Sequence, residues 1–307
     1  MQSLILSRSR RCCKAALLAF IIASPQLACS QQQVDNDFTP EIAAPLFALG
    51  KGPLILVDAG HHNFHTLEDK FAPFGKVAKM DGFTVRSSEG PITGEILKDT
   101  RILVIANALN EKNVNSWQLP VYPAFTAEEV KKIRDWISRG GRLLLIADHM
   151  PFPGAVADLA QSMGFTFQNG FAFRRPKQNF DVFTLANGML KRSPLTDMHG
   201  SMDSIVSFTG QAFAIPDSAT SVITLDSNYK VLLPEVAWKF SADMKMIPAK
   251  GLSQLAYAHV GSGKIVVAGE AAMFTAQRVG DMRFGLNAPF ARQNVTLLRN
   301  ILEWLSE

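Results

Sequence analysis

The groups able to do chemistry in this 307-residue chain are concentrated in four short stretches. Asp58 is followed by His61, His62, Asn63 and His65; Asn107 by Asn110; Asp148 by His149; and Glu270 by Ala271. Four of the six histidines fall in these stretches. Imidazole and carboxylate together are the donors that zinc, manganese and iron sites use. His61 and His65 share a face wherever their stretch is helical. The expectation is therefore a divalent metal, zinc or manganese, held by Asp58, His61, His65 and His149. Such an ion acidifies a bound water, and Glu270 or Asp148 would serve as the catalytic base. His62, Asn63, Asn107 and Asn110 would then contact substrate. No complete ligand motif such as H-E-x-x-H is present. A plainer reading stays open: Asp58 and Asp148 can cap the helices or loops after their strands, and Glu270 can be a first-turn acid set against a helix dipole. His199 and His259 have no such company and are expected to be structural.

Each stretch follows an apolar run. Residues 53–58 (PLILVD), 101–106 (RILVIA), 142–147 (RLLLIA) and 264–269 (KIVVAG) read as buried strands. Between them, Pro73 can open a helix that Gly82 ends, and Phe83-Thr84-Val85 reads as a short strand. Thr126 and Glu129 make a capping box for a helix with the stripe Val130, Ile133, Trp136 and Ile137, stopped by Gly140-Gly141. Residues 155–163 read as a further helix. This alternation implies an α/β domain with a mostly parallel sheet and helices on both faces. Ligands bind such sheets beyond the carboxyl ends of the strands, where all four stretches lie. Residues 164–252 change to short β-like pieces, a β-rich insertion in a domain spanning 50–306. Phe165, Phe167, Phe171 and Phe173 alternate there as strand core. A hairpin over 253–269 returns to the sheet, and a helix with Val295, Leu298, Ile301, Leu302 and Leu305 on one side closes the chain.

The composition, 47% hydrophobic and 19% charged, excludes a disordered polymer or a coiled coil. The formal charge of +4 equals the contribution of Arg8, Arg10, Arg11 and Lys14, which precede the first acidic residue. Without that segment the chain is neutral and has no general electrostatic reason to bind nucleic acid or an acidic membrane. The basic residues, the apolar run 15–23 and Leu27-Ala28-Cys29 have the order of a secretory signal over 1–29. Leu27-Ala28-Cys29 resembles the lipobox of bacterial lipoproteins, with Gln26 in place of the usual leucine. Export to the periplasm or outer membrane is expected, with Cys29 as a lipidation site, 30–49 as a polar tether, and membrane contact through the lipid alone. The three cysteines are Cys12, Cys13 and Cys29, so the body holds no thiol nucleophile.

The blocks LILVDAGHHNFHT, RILVIANALN, RLLLIADHMPFPG, SIVSFTGQAF and GEAAMFTAQ resemble a family of exported bacterial proteins. That family lies in the class I glutamine-amidotransferase-like superfamily, close to the GIFT-type domains. The resemblance spans about 50–306 and implies a flavodoxin-like sheet sandwiched by helices. Its relatives occur in proteins linked to carbohydrate use or as non-enzymatic assembly modules, so it supplies a fold more firmly than a function. In true amidotransferases the turn matching Asp148-His149 carries a nucleophilic cysteine; with none there, glutaminase chemistry is rejected. Two functions are expected: a metal-assisted hydrolase of a carbohydrate-like substrate, or a non-catalytic lipoprotein that binds a glycan or partner.

Overall fold

Strict alternation along the apolar runs sends successive side chains to opposite sheet faces, and both faces are covered. The structure, a computed structural model, describes residues 32–307 apart from 177 and 179. The expected signal segment and Cys29 lie outside the described residues. The first half contains β1 (Gln33–Val34), β2 (Leu54–Asp58), α1 (Ala72–Met80), β3 (Thr84–Ser88), α2 (Gly94–Lys98), β4 (Ile102–Ala106), α3 (Ala127–Ser138) and β5 (Arg142–Ile146). Next come α4 (Phe152–Ala155), α5 (Ala157–Gln161), β6 (Thr166–Phe167), β7 (Phe171–Arg174), β8 (Asp181–Thr184), α6 (Pro194–Asp197), β9 (Ser204–Ser207) and β10 (Phe213–Ala214). The chain ends with β11 (Ala219–Thr224), β12 (Tyr229–Leu233), β13 (Lys245–Pro248), β14 (Ser253–Val260), β15 (Gly263–Ala268), β16 (Ala276–Val279), β17 (Met282–Gly285) and α7 (Gln293–Ser306).

The large central sheet runs β3-β2-β4-β5-β15-β14-β10-β6, with β11 also on β14. Neighbours from β3 to β15 are parallel, and those beyond β15 antiparallel. The protein is thus a mixed α/β fold around a mostly parallel core. Ile55, Val57, Val104 and Leu144 face α1 and α7, whereas Leu56, Leu103, Ile105 and Leu145 face α3 and α5. Each such side chain contributes about 1.5–3 kcal/mol on burial. The expected helix over 155–163 is two shorter pieces, α4 and α5.

Most of the strands of 164–252 stay out of the central sheet. β7, β12 and β13 form one antiparallel sheet and β8 with β9 another, while β6, β10 and β11 extend the central one. Residues 33–49, expected as a tether, are instead laid onto the domain. Val34 pairs with Gln277 across β1 and β16. Phe38, Ile42, Leu46 and Phe47 pack on the core. Arg299 on α7 joins the Asp81 carboxylate (2.7 Å) to the Ala44 carbonyl (2.6 Å). The reason is compositional: those four apolar side chains interrupt the polar stretch and have a surface to cover. Among the described residues no helix is long and apolar enough to cross a membrane.

Candidate functional site

At the end of β2 the sequence-nominated groups close on one another. Asp58 is fully buried, and both its oxygens lie against His61 Nδ1 (2.9 and 3.0 Å). His61 Nε2 lies 3.0 Å from Glu129 Oε1. Both ring nitrogens face carboxylates, which only accept, so both must donate and the ring is an imidazolium. Burial opposes that charge, but the hydrogen bonds and charges of Asp58 and Glu129 raise its pKa above the ordinary histidine value. Glu129 also completes the predicted capping box, its Oε2 accepting from the Thr126 amide (3.0 Å) while Thr126 Oγ1 accepts from the Glu129 amide (3.2 Å). Asn63 braces the turn by donating to Asp58 Oδ2 (3.0 Å) and accepting from the His61 amide (3.1 Å). His61 packs on Phe125 with ring centroids 4.1 Å apart. The result is a clamp joining the loop after β2 to α3.

The expected metal set is therefore not brought together: His61 has no nitrogen free, and Asp58 is consumed by it. Among the described residues no three histidine, cysteine or acidic side chains are grouped to hold an ion. His62 is exposed with φ 45, and Asn110 caps the short turn Glu111–Asn113 while donating to the Pro123 carbonyl (2.7 Å). Neither these two nor Asn63 lines the cavity at this edge of the sheet. His199 pairs with Glu303 at 3.4 Å and His259 packs on Trp304, as structural residues do.

Five nominated residues do converge. His65, Asn107, Asp148, His149 and Glu270 line that cavity, of about 140 Å³, beyond the carboxyl ends of β4, β5 and β15. Asn107 is its keystone. It takes φ 50, a left-handed conformation that asparagine tolerates better than most residues. Its Oδ1 accepts from the Asp148 amide (2.8 Å), so its Nδ2 is the end that donates to His65 Nδ1 (3.0 Å). His65 must then carry its proton on Nε2. His149 is the opposite tautomer: Nδ1 donates to the Met150 carbonyl (2.8 Å), and Nε2 is left as an acceptor. Its ring stacks on Phe171 at 4.7 Å. Burial lowers His65 to about 3, helped by the charge of Lys70, and lowers His149 to about 4. Both imidazoles are neutral near pH 7.

The acids behave differently. Burial pushes Asp148 up to about 7, against the pull of the amides of His149 (2.7 Å) and Ala271 (3.5 Å). Burial, then the charge of Asp148, raises Glu270 well above the ordinary carboxylate range, although its oxygens accept from the amides of Ala272 and Met273 (both 2.8 Å). Two such carboxyls cannot both ionise cheaply, so the pair retains a proton near neutrality.

Sequence reasoning missed much of the wall. Phe64, Phe152, Phe208 and Trp238 supply rings, and Lys70, Thr209, Gln32 and Gln277 supply polar groups. Lys70 is engaged by Asp69 (2.7 Å) and lies over Phe64 (4.3 Å). Gln277 stands in the quoted block GEAAMFTAQ, a usable signal; Trp238 follows β12 in a region without a motif.

No protein-family model matches the chain, and no curated protein matches it. Solved structures do resemble it. One described as "mmIFT52 N-terminal domain" shares 15% identity, covers 82% of this chain and 97% of its own, and superposes with a TM-score of 0.60. A protein from Bacteroides uniformis ATCC 8492 described as ThuA-like shares 11%, with coverages of 87% and 94% and a TM-score of 0.45. A cytoplasmic protein from Salmonella typhimurium LT2 shares 11%, with coverages of 83% and 97% and a TM-score of 0.46. The first likeness shows a shared fold alone, and the weaker two add nothing to the argument.

Proposed function

We propose that the cavity binds a small, uncharged, polyhydroxylated molecule such as a sugar or polyol, and that the Asp148–Glu270 pair does acid–base work on it as a hydrolase. The observation carrying this reading is that side chains from three strand ends line one cavity with complementary polarity: a donor at His65 Nε2, an acceptor at His149 Nε2 and a protonated carboxyl pair. A hydroxyl both donates and accepts, so it satisfies this mixture. Among the residues lining the cavity the only lysine or arginine, Lys70, is already paired, which disfavours an anionic ligand. The ring faces suit the apolar side of a sugar. The volume, about 140 Å³, is below the roughly 300–1,000 Å³ of drug-sized sites, so the ligand is a monosaccharide or smaller group. In hydrolysis the carboxyl pair would protonate the leaving oxygen while His149 Nε2 takes a proton from the attacking water. No metal step is proposed: of the four expected ligands Asp58 and His61 are taken up by each other and by Glu129, and only His65 and His149 reach the cavity.

A purely binding role is the second reading, favoured by Glu270, whose two oxygens are held by backbone amides. Calorimetric titration with erythritol, xylose and glucose, together with p-nitrophenol release from p-nitrophenyl xyloside, separates the cases. Binding with release supports the hydrolase, binding without release the binder, and no binding of any of the three overturns both. We further propose the finer family reading, a flavodoxin-like member of the class I glutamine-amidotransferase-like superfamily near the GIFT-type domains. The order β3-β2-β4-β5-β15, second strand beside first, supports it. Export with a lipid on Cys29 is proposed from the N-terminal residue pattern, and glutaminase activity is excluded from the proposal because no cysteine follows Cys29.

A further inference from the structure

Two residues reach the cavity from outside the edge of the parallel sheet, and each brings a polar atom without a partner among the described residues. Trp238 lies in the segment after β12 with φ 67, a left-handed conformation unusual for a bulky residue. Its indole stands edge-on to His149 (4.7 Å) and Phe171 (4.8 Å). Its Nε1–H is shielded from solvent and has no partner among the described residues. Gln277, on β16, is 3% exposed, and its Oε1 is likewise buried without a partner.

The orientation of that amide is forced by its neighbours. Thr275 Oγ1 donates to the Ala272 carbonyl (3.0 Å), so toward Gln277 it can only accept. The end of Gln277 lying 2.7 Å from it must be Nε2, and the carbonyl oxygen is left over. β16 is held in place by β1 on one side and β17 on the other. Asn287 adds a bond to the Gln277 carbonyl of the main chain (3.2 Å) and another to Asp35 (2.8 Å). Gln277 is thus held rigidly, with an idle acceptor. Buried polar groups are almost always paired, and two exceptions lining one cavity call for a ligand.

Resting on the reading of the cavity as a site for a neutral hydroxylated molecule, we propose that Trp238 and Gln277 are its specificity-determining contacts. The indole N–H donates to one ligand oxygen, and the Gln277 side-chain carbonyl accepts from a ligand hydroxyl. With His65 and His149 they make two donors and two acceptors, and select a molecule bearing several hydroxyls over its deoxy counterpart.

The test uses Trp238→Phe, which removes the indole N–H, and Gln277→Met, which removes the idle carbonyl oxygen together with the Nε2 that bonds to Thr275 Oγ1. Titration with xylose and erythritol is expected to give about tenfold weaker binding in each variant, the scale of one lost hydrogen bond. The melting temperature of ligand-free Trp238→Phe is expected to stay close to that of the native protein, because the N–H removed has no partner among the described residues, whereas Gln277→Met also loses its bond to Thr275 and is expected to melt slightly lower. Native binding that persists undiminished in both variants overturns this inference alone. Failure of the native protein to bind xylose or erythritol overturns it, and failure to bind glucose as well overturns the proposed function with it. Marked destabilisation of ligand-free Trp238→Phe shows that the indole N–H has a structural partner and also overturns it.

Discussion

Two regions at the same edge of the sheet use the same residue types to opposite ends. At the end of β2, Asp58, His61, Asn63 and Glu129 satisfy one another, and His61 is left charged. Beyond β4, β5 and β15, His65, His149, Asp148 and Glu270 are only partly satisfied, and both histidines are neutral. The contrast lies in the partners. An imidazole between two carboxylates is an ion-pair clamp, whereas one held by a single amide or carbonyl keeps a nitrogen for a ligand. Histidines placed just beyond a strand end are therefore not a functional signal by themselves.

The largest effect that tests this contrast is expected from His61→Leu. It strands two buried carboxylates, which costs about 3–5 kcal/mol and lowers the melting temperature by about 10 °C, while sugar titration of the folded variant is unchanged. A stable variant that had lost binding would reverse the assignment of the two regions. The clamp also has a pH signature. Its folded histidine pKa is raised, so its stabilisation is complete below about pH 6.5 and declines as pH rises through the folded value.

A smaller loss is expected from Asn107→Ala, which unpairs the Asp148 amide and His65 Nδ1 and places alanine at φ 50. Chemical denaturation should register about 2–4 kcal/mol, accompanied, unlike in His61→Leu, by loss of ligand binding. The smallest change has the opposite sign. Asp148, pushed up to about 7, holds a proton in the folded state that the unfolded chain releases near pH 4. The stability linked to it is complete below about pH 4 and is lost as pH rises through about 7. Asp148→Asn removes that penalty, so its melting temperature should exceed the native one by about 4 °C at pH 8 and differ little at pH 5. Equal melting at both values would mean that Asp148 is not a protonated buried acid.

Much of the fold and part of the site are legible in the residues. The runs over β2, β4 and β5 contain their strands, the run at 264–269 is offset by one residue from β15, and the capping box forms at Thr126 and Glu129 as their spacing predicts. Asn107, Asp148, His149 and Glu270 follow three of those strands and share the cavity. The metal set fails because His61 finds Glu129, a partner 68 residues away whose capping role gives no hint of a second one. The tether fails because residues 33–49 have almost no local periodicity and are held by β16, Asp81 and Arg299.

By itself the sequence determined the strands, the helix start at Thr126 and the strand ends at which polar groups gather, since alternation and capping act over a few residues. Tertiary structure alone decided which of those groups stay idle. Whether a nitrogen or carboxyl keeps a free lone pair depends on atoms brought to it from far along the chain, and no pattern in its own neighbourhood encodes that.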